Sequence, residues 1–230
     1  MPEWPIPIEE VRMWPSVRSR LLPWLARWEG QVPWMYLDVA GRVATGIGTD
    51  INSPQAAQAL IWRHPGGQQA TSDEVVHEWL RVKAMTSSAK LGGGNAVWRD
   101  SAHLTVDPDS LAEYTDRLLE GYEGVLRQRI SGYDALPGPA QLARLRTAYA
   151  EGPGARWPKL DAALSTQDWT TAMVECKPGD YDRQNSSYRA SYDAVAELYR
   201  IAPDWPGDSL PDLLPGEKGY AWPTAEVSAS

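Results

Sequence analysis

The period of the apolar residues changes abruptly at Glu29-Gly30, and this switch constrains the fold more than any other feature of the chain. From Ser16 to Glu29 the positions Val17, Leu21, Trp24, Leu25 and Trp28 recur at helical spacing. Pro23 must kink this helix or open a second segment, and Gly30 stands where a C-terminal helix stop is expected. Beyond it, Gln31 to Leu37 and Arg42 to Ile47 read as extended. They are joined by the turn-forming Asp38-Val39-Ala40-Gly41, which predicts a β-hairpin.

Nearly everything else has a helical period. A loop from Thr49 leads into a short helix over Pro54 to Trp62, and His64 to Ala70 forms another loop. Further helices are expected over Ser72 to Met85, Pro108 to Arg127, Pro139 to Ala150, Pro158 to Leu164, Asp168 to Cys176 and Ser187 to Ile201. Thr86 to His103, with its Gly92-Gly93-Gly94 run, reads as loop. The fold class is therefore α+β and mainly helical, with a single small N-terminal β-hairpin or sheet and a helical C-terminal part. Residues 1–16 read as an N-terminal extension, 17–202 as one domain, and 203–230 as a Pro-rich tail of irregular or disordered chain.

Composition limits the partners. With 230 residues and a 43% apolar fraction, the chain can build an ordinary globular core. Its net charge of −8 argues against nucleic acid, and no apolar run is long enough for membrane insertion. The first residues lack a basic region before an apolar stretch, so no Sec signal peptide is expected. The single cysteine, Cys176, excludes an intrachain disulfide and is expected to be a small buried hydrophobe. There are 12 Trp and 10 Tyr but no Phe, so most of the tryptophans are expected to fill the core.

Two carboxyls flank the change of period. Glu29, at a helix end beside Trp28, is expected to be poorly solvated and its neutral form favoured, whereas Asp38 on the hairpin turn stays hydrated and ionised. Separated protonation states are what glycosidic cleavage requires, one group protonating the leaving oxygen and the other activating water or attacking the sugar. Trp34, on the hairpin beside the acids, is either a sugar contact or a core residue.

The neighbourhood Glu29-Gly30, Tyr36-Leu37-Asp38, Gly41 and Gly46-Ile47-Gly48 resembles the phage-type lysozyme or endolysin family. There, an Asp follows the Glu by nine positions and precedes a turn glycine and a Thr-X-Gly-X-Gly strand. The resemblance implies a two-lobed lysozyme-like fold and a muramidase, with Glu29 as general acid and Asp38 placing or activating the attacking water. Where the family has the threonine that helps hold this water, the chain has Ala44. Thr45 is next to it, but strand neighbours face opposite sides, so Thr45 substitutes only through a bulge; Thr49 and Asp50 are other polar groups that could serve. A fainter likeness over Trp157 to Arg200 offers Arg189, and second Arg183, as the arginine that orients the acid.

The expected partners are peptidoglycan glycan strands, with no cofactor and no metal. Synthesis in the cytoplasm without a Sec signal fits release through phage lysis or delivery by an injection system, and action at the bacterial cell wall. Two alternatives remain: a weakly active or inactive glycan-binding or structural component of a phage particle or injection system, and a hydrolase of chitin or chitosan. His77-Glu78 begins a zinc-protease motif, but Arg81 replaces its second histidine. His64, His77 and His103 are too scattered in sequence to propose as ligands.

Overall fold

A computed structural model describes residues 13–38, 40–85 and 96–221. In chain order the elements are α1 (Pro15–Glu29), β1 (Val32–Leu37), β2 (Val43–Gly46), β3 (Thr49–Asp50), α2 (Pro54–Gln58), β4 (Trp62–Arg63), α3 (Ser72–Ala84), α4 (Ala96–Ser101), β5 (Thr105–Val106), α5 (Pro108–Arg129), α6 (Gly138–Glu151), α7 (Pro158–Ser165), α8 (Trp169–Glu175) and α9 (Ser186–Ile201), with short 3₁₀ turns between the later helices. The protein is mainly helical with a small antiparallel sheet. Among the described residues, no helix is long and apolar enough to cross a membrane. Residues 1–12, part of the expected N-terminal extension, and the glycine run at 92–94 lie outside the described residues.

The chain divides into two compact units, one of residues 25–118 and one built from residues 13–24 and 119–221. In the first, β1, β2 and β3 form a sheet in that order. Tyr36 pairs with Ala44 and Leu37 with Val43, but Val32 pairs with Gly46, so the register slips between Val32 and Tyr36. Pro33 sits in that interval and has no N–H to give to the ladder. The core of this unit gathers Met35, Leu37, Val43, Ile51, Leu60, Trp62, Trp79 and Val82. Helix α3 fastens the sheet: the Trp79 indole donates to the Ile51 carbonyl at 2.8 Å, and Lys83 Nζ reaches the Gly41 carbonyl and Asn52 Oδ1, each at 2.8 Å.

Three expectations are corrected here. Thr49-Asp50 is a third strand rather than loop, pairing with Thr45 and Ala44. The sheet is not the only one, since β4 and β5 pair through Trp62–Val106 and Arg63–Thr105. Within the stretch read as loop, Ala96–Ser101 is helical. Two-residue strands and a six-residue helix are too short to display a period, and long-range pairing decides them.

In the second unit, α6 is buried along Gly138 to Ala148 and packs against α9. Its arginines are held by partners: Arg144 Nε donates to Asp161 at 2.9 Å, and Arg146 Nη2 donates to Ser191 Oγ at 3.0 Å and its guanidinium lies over the Tyr192 ring. Pro23 does not end α1, which runs through it with the ring on the exposed side. After a 3₁₀ turn over Ala202–Asp204 the described residues up to 221 are irregular, as expected, yet they are packed. Leu214 is fully buried, and the Trp24 indole donates to the Pro215 carbonyl at 3.0 Å.

Candidate active site

Glu29 is the last residue of α1 and is half-buried. The helix stops because Gly30 takes a left-handed conformation (φ +74°) while its N–H still donates to the Ala26 carbonyl. The Glu29 carboxylate lies against the turn between β2 and β3: its Oε2 is 3.9 Å from where a Cβ on Gly48 would stand. Gly48 has φ +83°, so a side chain there would be strained before it met the acid.

Asp38 follows the last residue of β1 and organises the hairpin turn. Its N–H donates to the Arg42 carbonyl, and its carbonyl accepts from Gly41. Its side chain is heavily engaged. Oδ1 accepts the N–H groups of Ala40 (2.9 Å) and Arg42 (2.8 Å), while Oδ2 accepts Arg42 Nε at 2.9 Å and lies 2.8 Å from Arg42 Nη2. The third nitrogen of the same guanidinium, Nη1, is 3.4 Å from Asp50 Oδ2. Arg42 thus stands between two carboxylates.

The two acids share a neighbour. The Tyr36 phenol is pushed up to about 12, by burial first, then by the charge of Glu29, then by that of Asp38. Tyr36 pairs across the strands with Ala44, and Ala44 with Asp50, so these three side chains form a row on one face of the sheet. Asp50 also helps burial raise the Tyr114 phenol.

The other sequence-derived candidates fall as follows. Thr45 is fully buried and donates its hydroxyl to the Val32 carbonyl at 3.3 Å; the β1–β2 register slip falls opposite it with the extra residues on β1, while its own pairing with Thr49 on β3 is regular. Thr49 is buried, with its hydroxyl 3.3 Å from that of Thr115. Trp34 is half-buried against the core of the sheet, and its indole N–H finds no acceptor among the described residues. Arg189 and Arg183 belong to the other unit and are exposed on it.

The histidines are not scattered. His64, His77 and His103 line one pocket of about 280 Å³ with Glu74, Glu78 and Arg81. Glu78 is buried there; burial opposes its charge, but Arg81 and His103 hold its carboxyl below the usual range. No group of three His, Cys, Asp or Glu placed to hold a metal occurs among the described residues.

What sequence reasoning missed is Arg42. Its signal was an arginine four residues after Asp38 across a tight turn, a spacing that lets the side chain fold back on the acid. The chain matches no family model, no curated protein and no solved structure.

Proposed function

We propose that this protein is a muramidase of two-lobed lysozyme-like fold that hydrolyses the β-1,4 bond between N-acetylmuramic acid and N-acetylglucosamine in peptidoglycan. The observation that supports the reading is geometric: Glu29 Oε2 lies 3.9 Å from where a Cβ on Gly48 would stand, in the turn between β2 and β3, while Asp38, in the β1–β2 turn of the same sheet, is joined through Arg42 to Asp50 on β3. A carboxyl at a helix end and a hairpin carboxylate therefore border the same small area of sheet, as two-carboxylate hydrolysis requires. Glu29 protonates the glycosidic oxygen, and an ionised carboxylate of the group gathered around Arg42 receives the proton of the attacking water, with inversion as the family resemblance implies. The polymer reaches the protein at the cell wall, after phage lysis or delivery by an injection system.

The test is release of reducing ends from purified peptidoglycan. Wild type is expected to release them, and Glu29→Gln to lose at least 100-fold in rate, the scale of a general acid. Equal activity in the two proteins removes the assignment. A second reading, a glycan-binding or structural module without turnover, draws on the full engagement of the Asp38 side chain. Its signature is peptidoglycan binding by wild type with no hydrolysis at any pH or salt.

A further inference from the structure

We propose that Asp50 is the base that takes the proton of the attacking water, and that Asp38 and Arg42 are positioning residues. This rests on the muramidase reading. An ionised carboxylate offers about four acceptor positions. At Asp38 all four are used, two by backbone N–H groups of its own turn and two by one guanidinium, at 2.8–2.9 Å. To take a proton from water, Asp38 would have to abandon either the turn it closes or a bidentate charge-assisted pair, the strongest kind of hydrogen bond in the site.

Asp50 is differently placed. Among the described residues, its Oδ1 accepts one N–H, from Asn52 at 2.8 Å, and its Oδ2 has only the longer approach of Arg42 Nη1 at 3.4 Å. Its side chain is 47% exposed, against 21% for Asp38, so water reaches it more readily. It also lies close along the chain to the acid's position. The cross-strand row Tyr36–Ala44–Asp50 ends at this carboxylate, and Gly48, whose Cβ position is 3.9 Å from Glu29 Oε2, is two residues before it at the turn into β3. Arg42, held by Asp38, fixes where the Asp50 carboxylate stands.

The step balances. Glu29 gives its proton to the glycosidic oxygen as the C1–O bond breaks, and the bonding pair leaves with that oxygen. A lone pair of the water oxygen forms the new bond to C1, and the water proton passes to Asp50 Oδ2. One water is consumed, and exchange with solvent returns both carboxyls to their starting states.

Steady-state kinetics of reducing-end release test the assignment. Asp50→Asn, which keeps an acceptor for the Asn52 N–H, is expected to lose at least 100-fold in kcat with KM within threefold. Asp38→Asn is expected to lose less than Asp50→Asn. In Asp50→Ala, added azide, a nucleophile that needs no base, is expected to restore turnover and yield a glycosyl azide. Asp50→Asn within threefold of wild type while Glu29→Gln is inactive overturns this proposal and leaves the muramidase reading standing; so does a larger loss in Asp38→Asn than in Asp50→Asn. Wild type that releases no reducing ends overturns both.

Discussion

Glu123 shows what burial does to a single ionisable group in this protein. It is fully buried on α5, 3.0 Å from Arg127, and burial pushes its carboxyl up to about 7 although Arg127 pulls the other way. Below about pH 4.5 the group is protonated whether the chain is folded or not, and it costs nothing. As pH rises toward 7 the unfolded chain ionises while the folded one does not, so stability is lost over this window, by roughly 3 kcal/mol if the whole shift is realised. Urea titrations at pH 5 and pH 8 check this: Glu123→Gln is expected to gain stability relative to wild type on going to pH 8. Parallel behaviour of the two proteins at both pH values would refute it. Cys176 follows the same physics. It is buried as the sequence predicted, and its thiol is pushed up to about 12, chiefly by burial.

At the level of elements, the sequence was most legible where side chains repeat at a fixed period over many residues. The helix expected over Pro108 to Arg127 is observed as α5, Pro108–Arg129, ending two residues later, with Leu119, Glu123 and Leu126 as buried positions. The hairpin was legible for a different reason, the turn residues between its extended runs. What could not be read was anything decided by a distant partner. Thr49-Asp50 has cap-like letters and becomes a strand only because Ala44 and Thr45 offer it a ladder. His64, His77 and His103 converge because β4, α3 and the chain before β5 do. The two candidate acids were legible from local letters, whereas the link from Asp38 through Arg42 to Asp50 depends on that unforeseen strand. The start of α3 is a local feature that can be measured. Thr71 accepts from the Glu74 N–H while Glu74 accepts from the Thr71 N–H, a reciprocal cap. Thr71→Ala is expected to cost about 1 kcal/mol, read from chemical denaturation. No change in the midpoint would show that the rest of α3, not its cap, sets its stability.

For the whole molecule, the sequence pointed to a sheet-bearing N-terminal part and a helical C-terminal part within one domain over 17–202, with a separate tail, but not to where the two units divide. The reason is that one unit is assembled from two remote stretches of chain. The described part of the expected tail belongs to that unit: Leu214 is fully buried and Leu214 N–H donates to Glu217, which also pairs with Arg20 at 2.9 Å. Leu214→Ala is therefore expected to destabilise by roughly 2–5 kcal/mol, as for other buried leucines. A thermal midpoint equal to that of wild type would show that the segment adds nothing.

The bond from Trp24 to Pro215 spans 191 positions. At a synthesis rate of about 5–20 residues per second, the indole waits roughly 10–40 s before its acceptor is made. Residues 25–118 emerge as one uninterrupted piece during that interval. A nascent chain thus holds the sheet and both candidate acids long before the helical unit can close, with Val17, Leu21 and Trp24 still lacking their final cover. Those three side chains are the part of α1 a cotranslational chaperone would have to shield.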